Sequence, residues 1–402
     1  MIAVLAMLAY QGFAISINGV AAPWISESFQ LGGAGLAALY AWISVSAIGG
    51  LVLARLADRV GRRRVLLWCL MVTPLGALGA ALATSLVLFA VCEVLLYAAI
   101  SATVSGSVVM LAEALPVERR AKGQSYGGLA MGFGSGWCVV GMPLLADAGY
   151  SWRWLLAVTV AGVIGVPFIA RLMPESERWQ HAAASGATRA TTWTTLLDPR
   201  YRRRAIPISV CVLLGSIGGM AANNWSYYHA VSQVGLSAGA TSTMVLVGGG
   251  IGAAGFPLAA WAAERLGRVP TIVTAGLLGS AGAVWFYWGP PSQLGQPVLW
   301  LGAAYCLFSV AANSVIVAGN AAVTELFPTA VRGTMVGWLS LLIAVGSVTA
   351  QATMAVLAGP LGGLSNVVGY LALLGVPSAL LFGFFIEETR GLSLEVAAKE
   401  DL

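Results

Sequence analysis

Twelve separate stretches of this chain are each long enough, and apolar enough, to cross a lipid bilayer as a helix. They lie near 2–24, 32–56, 64–84, 86–112, 124–147 and 153–173, and resume after a polar gap near 205–230, 238–263, 270–289, 297–323, 333–358 and 366–386. Crossing about 30 Å of hydrocarbon takes about 20 residues of helix. A single chain can do so only with its backbone polar groups satisfied internally. Charged residues make up 9% of the chain and apolar ones 58%, against about 25% charged in soluble domains, so lipid must cover most of the surface. In that setting the 50 glycines read as close helix packing. Cys69, Cys92, Cys138, Cys211 and Cys306 all fall inside apolar runs, with no Cys-x-x-Cys pair. They read as small buried hydrophobes, and neither a disulfide, a metal site nor a cofactor is expected.

The net charge of +5 would suit nucleic acid if it were clustered on a soluble face, but its distribution follows membrane topology instead. With an even number of spans and both termini on one side, 20 of the 21 Lys and Arg residues sort to that side and only Arg153 to the other. Basic residues accumulate on the cytoplasmic side, so the expectation is a multi-pass protein of the cell inner membrane with both termini cytoplasmic. Trp24, Trp152, Trp154, Trp179, Trp288 and Trp300 sit at expected span ends, where indole prefers the headgroup level. Met1 opens directly into an apolar run without a basic leader, so the first helix is expected to be retained.

The two halves repeat. Ala54-x-x-x-Asp58-Arg59-x-Gly61-Arg62 matches Ala260-x-x-x-Glu264-Arg265-x-Gly267-Arg268; Glu113-x-x-Pro116 with Arg120 matches Glu325-x-x-Pro328 with Arg332; Glu175-x-x-Arg178 matches Glu387-x-x-Arg390. The offsets are 206, 212 and 212 residues. They imply an all-α integral membrane fold of two pseudo-symmetric six-helix bundles in parallel. The expected layout is an N-terminal bundle over 1–173, a cytoplasmic linker over 174–204, a C-terminal bundle over 205–386 and a cytoplasmic tail over 387–402. On these residues the chain resembles the major facilitator superfamily over essentially its whole length. Pro174-Glu175-Ser176-x-Arg178-Trp179 and the tail Glu387-Glu388-Thr389-Arg390-Gly391-x-Ser393-Leu394-Glu395 resemble its sugar-porter and metabolite:proton symporter branch. Ala54 stands where the signature loop usually has its first glycine.

Acids beside Arg-rich turns at helix ends suit ion-pair latches, since a helix N-terminus carries about half a positive charge. Asp58 is expected to dock at the start of the eleventh helix beside Arg332, and Glu264 at the start of the fifth beside Arg120. With Arg62, Glu113, Arg268 and Glu325 these residues form the expected gating set, which the resemblance implies holds the cytoplasmic ends together in one transport state. Arg63 and Arg64 read as solvated topology signals.

Polar residues inside lipid are costly unless they face a cavity or another helix. The expected substrate-binding residues are Gln11, Tyr40, Glu93, Trp137, Asn223, Asn224, Trp225, Tyr227, Asn313, Asn320 and Gln351, with Asn18 a further polar residue on the first helix. Asn223-Asn224-Trp225 offers two carboxamides beside an indole, a set suited to a hydroxylated or aromatic solute. Glu93 lies about seven residues into the fourth helix, where a carboxylate costs several kcal/mol or else binds a proton. In the resembled branch that position usually holds an arginine, and the first helix commonly carries Asp-Gly-x-Asp, where this chain has Gln11-Gly12-Phe13-Ala14. Glu93 therefore reads as a relocated proton carrier, as a ligand for a cationic substrate, or as a protonated structural hydrogen-bonder. No Lys or Arg stands mid-membrane to recognise an anion. His229, at the outer end of the seventh helix, reads as interfacial.

No Ser/His/Asp set, metal cluster or phosphate loop sits in a coherent context, so an enzyme is not expected. Gly132, Gly134 and Gly136 fall inside the fifth helix and read as packing. The expected function is secondary active transport of a small organic solute, sugar-like or another metabolite, by alternating access with proton-coupled uptake. The expected partners are that solute, protons and the bilayer, with no nucleic acid, and the expected state is a monomer. The alternatives are a drug or metabolite exporter of the same fold, an uncoupled facilitator, and a non-transporting solute sensor.

Overall fold

The structure is a computed structural model that describes residues 1–114, 120–173, 193–289 and 297–390, apart from the side chains at 54, 58, 59, 109, 112–114, 120–125, 193, 194, 329 and 330. Among the described residues twelve helices are long and apolar enough to span a membrane: α1 Ile2–Ser28, α2 Gly33–Ala57, α3 Arg62–Leu82, α4 Leu86–Val108, α5 Tyr126–Asp147, α6 Arg153–Leu172, α7 Pro199–Asn224, α8 Ala238–Arg265, α9 Arg268–Trp288, α10 Pro297–Leu326, α11 Val331–Leu357 and α12 Leu364–Phe385. The chain divides into two compact units, Met1–Arg189 and Ala190–Leu402.

Eleven spans lie close to their expected limits, and α7 is displaced. It begins at Pro199, inside the stretch expected as linker. Asp198 caps it by accepting from the Arg200 N–H, and Pro199 occupies the first turn, where its missing N–H costs nothing. The arginines at 200 and 202–204 hide this start from a hydropathy reading. The helix ends at Asn224, and Trp225, Tyr227 and His229 follow in a short helix Ser226–Tyr228 and a π-turn His229–Gln233.

Duplication is written into the backbone of each unit. Gly61 and Gly267 precede α3 and α9 at φ of 115° and 112°, a region open to glycine at little cost. Gly149 and Gly362 turn the chain at the opposite ends of the spans, both at φ 73°. Interruptions repeat as well: α2 breaks at Val45 and α8 at Ala253–Ala254, while α6 carries a 3₁₀ segment Ala161–Gly165 and α12 breaks at Leu373–Leu374.

Within the first unit α1 and α5 cross at backbone contact. A Cβ on Gly12 would collide with the Met131 carbonyl, and one on Gly134 with the Ala9 carbonyl. In the second unit Gly346 of α11, 212 residues after Gly134 in sequence, packs closely on α7, where an added Cβ would meet the Ser216 side chain first and the Ile217 amide next. Of the Gly132, Gly134 and Gly136 run, Gly134 makes the close approach, whereas a Cβ on Gly132 would meet open space. The second unit has a continuous apolar core, with Ile208, Ile272, Leu326, Phe327, Met335 and Phe382 in one cluster.

Two arginines end up as helix caps. Arg63, expected as a solvated signal, donates from Nε to the Met173 carbonyl at 2.6 Å and from Nη2 to that of Ala170 at 2.7 Å, closing the end of α6. Arg153 sends Nη1 to the carbonyls of Ala81 and Ala83, each at 2.8 Å, at the end of α3, and packs over the rings of Phe29 and Trp152. Unpaired terminal carbonyls carry partial negative charge, so both placements are favourable.

Candidate transport site

In the first unit the polar residues converge on one stretch of α1. Glu93 of α4 is fully buried and accepts from Asn18 Nδ2 through Oε2 at 2.7 Å, while its Oε1 has no partner among the described residues. The Tyr40 hydroxyl from α2 donates to the Asn18 carbonyl, and that of Tyr97, one turn after Glu93 on α4, donates to the Ile15 carbonyl at 2.8 Å. Gln11, one of the expected binding residues, is buried and donates to Thr73 Oγ1 of α3 at 3.3 Å. Its Oε1, like Asn18 Oδ1, is a buried acceptor without a donor. Trp137 stands apart from this cluster. It is exposed and lines an apolar groove of about 610 Å³ with Phe13, Phe133, Leu144, Leu155 and Val158.

The second unit separates its expected binding residues into two groups. Trp225 is buried and donates from Nε1 to Gln351 Oε1 of α11 at 2.9 Å, so its indole is committed to packing rather than offered as a stacking face. The Tyr227 hydroxyl is shared between Ser242 and the Ala238 carbonyl. Asn313 donates to the Gly252 carbonyl at 2.9 Å, beside the break in α8 that frees such carbonyls. Asn223 and Asn320 are exposed and Asn224 half-exposed, and their side chains make no hydrogen bond among the described residues. His229 is buried, with Nδ1 2.7 Å from Ser365 Oγ and its ring against those of Phe286 and Tyr287.

At the arginine-rich end of the second unit, Arg268 forks onto Glu325, with Nε 3.1 Å and 3.2 Å from the two carboxylate oxygens and Nη2 at 2.9 Å. The Thr389 hydroxyl also donates to Glu325, and Arg204 pairs with Glu387 at 3.0 Å. Glu388 caps α9, accepting from the amides of Arg268 and Val269, each at 2.9 Å. The chain segment after α12 is thus stitched to α7, α9 and α10. Glu264 is exposed, and Arg332 donates to the Phe327 carbonyl at 3.3 Å. Arg62 is half-buried with partners of its own. The side chains of Asp58, Glu113 and Arg120 lie outside the described residues.

Partial burial pushes the Glu388 carboxyl up, but the amides of Arg268, Val269, Arg390 and Thr389 outweigh it and hold it below the ordinary 4.5. Such a group stabilises the fold above its free value and loses that contribution as pH falls through its lowered folded value. The melting advantage of the natural chain over Glu388→Gln should therefore be constant near neutrality and close as the pH drops below 4.5. An advantage that grew in acid would show that the cap does not depend on the carboxylate.

Thr73, Tyr97 and Ser135 belong to the α1 cluster and are not evident from sequence. A hydroxyl inside an apolar run gives no sign of which helix it will face.

A profile of the Major Facilitator Superfamily matches residues 2–351. The chain is 26% identical to the "Probable 4-methylmuconolactone transporter" of Cupriavidus pinatubonensis, over 97% of this chain and 89% of that one. It is 25% identical to the "Glucose transporter GlcP" of Staphylococcus epidermidis, over 85% of this chain and 82% of the other. Among solved structures it is similar to a D-xylose-proton symporter, with a TM-score of 0.74 at 20% identity, covering 98% of this chain and 99% of that one. With twelve spans, a duplicated backbone and a match over most of its length, the chain belongs to the Major Facilitator Superfamily and is a multi-pass membrane transporter rather than an enzyme.

Proposed function

We propose that this transporter takes up a small, uncharged, oxygen-rich organic solute, sugar-like or a related metabolite, by alternating access, and that Glu93 carries the coupled proton. The observation that carries the reading is the burial of Glu93 without a basic partner. No Lys or Arg occurs between residues 1 and 54 or between 65 and 118, so the acid's charge can be relieved only by a proton or another cation. Its full burial favours the smallest, because an organic cation would need a path to the carboxylate. Relatives named for a lactone and for glucose fit an oxygenated solute.

Asn223, Asn224 and Asn320 are the binding candidates with unspent hydrogen-bonding capacity, and Trp137 supplies an aromatic face. Arg268, Glu325 and the segment Glu387–Arg390 act in this reading as a brace that sets one transport state. The setting is the cytoplasmic membrane, with both termini cytoplasmic and a monomer as the working unit.

Proteoliposome uptake of a panel of sugars, lactones, organic acids and amines, with and without a pH gradient, tests the reading. Glu93→Gln is expected to abolish gradient-driven accumulation while sparing solute exchange. Undiminished accumulation by that variant would remove Glu93 from proton coupling.

A further inference from the structure

Between Gly12 and Pro23, α1 is gripped by its neighbours through its own carbonyls. The Gly12 carbonyl accepts from Ser135 of α5, besides Ser16 of its own helix, that of Ile15 from Tyr97 of α4, and that of Asn18 from Tyr40 of α2. Residues three apart lie along one side of a helix, so these contacts form a stripe. Pro23 has no N–H, which leaves the Gly19 carbonyl without its helical donor. The turn before Pro23 is one helical bond short, and Asn18 is the side-chain link from this stretch to Glu93.

The hydroxyls of Tyr40 and Tyr97 donate to α1 carbonyls rather than to the acid. Among the described residues Asn18 Nδ2 is the hydrogen-bond donor that Glu93 has, while Glu93 Oε1 and Asn18 Oδ1 remain unfed acceptors. The titratable groups facing this pair are the phenols of Tyr40 and Tyr97 and the thiols of Cys92 and Cys138, from α2, α4 and α5. All four are neutral at physiological pH when unperturbed. An ionised carboxylate only accepts hydrogen bonds, whereas a protonated one also donates. A carboxamide can serve either state, giving from nitrogen to the carboxylate and, once the free oxygen is protonated, also accepting at its own oxygen from the acid.

Building on Glu93 as the proton carrier, we propose that Asn18 is the positioning residue that reports the protonation of α4 to α1. A proton arriving on Glu93 Oε1 makes that oxygen a donor to Asn18 Oδ1 while Oε2 keeps the Nδ2 bond, so the link passes from one hydrogen bond to two. The second bond draws the Asn18 amide onto the acid and resets the gripped stretch of α1.

The full-length protein, reconstituted in lipid, is titrated while the infrared band of protonated carboxyl is followed, the Glu93 contribution being the part that Glu93→Gln removes. In Asn18→Leu, and in the smaller Asn18→Ala should leucine prevent folding, loss of the charge-assisted donor to the ionised form in a site made more apolar should move the midpoint up by about one pH unit, tenfold in proton concentration. Hydrogen exchange across residues 12–23 should vary with pH in the natural chain and lose that variation in both Asn18 variants. An unmoved midpoint, or exchange that keeps its pH dependence, overturns the role of Asn18 and leaves Glu93 as carrier. If Glu93→Gln removes no titrating band, the proton reading of Glu93 fails, and this proposal with it.

Discussion

Gly134→Ala is expected to yield little or no folded transporter, whereas Gly132→Ala, two residues away on the same helix, should behave as the natural protein. Alanine inside a helix is ordinarily favoured over glycine by about 1 kcal/mol, so propensity alone predicts a small gain at both sites. Packing decides at Gly134, because the added carbon would strike the Ala9 carbonyl, a backbone group that no rotamer change can move aside. The helices α1 and α5 would have to part, giving up dispersion contacts along their crossing at a cost of about 3 kcal/mol or more. Open space beside Gly132 imposes no such cost. Detergent-solubilised yield and melting temperature measure both variants. A Gly134→Ala protein as stable as its parent would mean that the two helices do not cross at backbone contact.

The second large effect is expected at the brace. Glu325→Ala removes the fork from Arg268 and the acceptor of Thr389 together, and it leaves a guanidinium whose side chain is 19% exposed with the Ala263 carbonyl as its recorded partner. Removing one partner of a buried ion pair costs about 3–5 kcal/mol, and partial exposure here places the loss near the lower figure. Arg268→Ala should cost about as much, and the double variant scarcely more than either single one, since the loss occurs once. Fully additive melting shifts would deny the coupling. Transport should fall by more than tenfold in Glu325→Ala, and Arg268→Lys should fall short of the natural chain, because an ammonium cannot present the planar fork.

How far these features were legible in the sequence depends on whether they are local. Span existence was legible because twenty apolar residues have few alternatives, and the duplication because charged turns repeat at fixed offsets. The start of α7 was not, since Pro199 and four arginines look like linker until Asp198 is seen capping them. Glu93 stands out as an acid in an apolar run. Its partner Asn18 is 75 residues away, a pairing set by how α1 lies on α4. Trp225 shows the converse, because an indole beside two carboxamides reads as a binding face until Gln351 is found on its nitrogen. The tail was recognised by its motif, yet its target is the first turn of α9, and no local pattern connects residue 388 with residue 268. Arg63 read as surface charge because the carbonyls it closes belong to another helix.

Arg153 has a consequence for biogenesis. Carrying one guanidinium to the side remote from the other arginines opposes the charge bias that orients the chain, and the compensation comes only when the end of α3 supplies its carbonyls. That compensation is non-local, joining residues 70 and more positions apart, so it arrives after both helices have inserted. The docking of α6 onto α3 thereby supplies a compensation for that charge which neither helix has on its own.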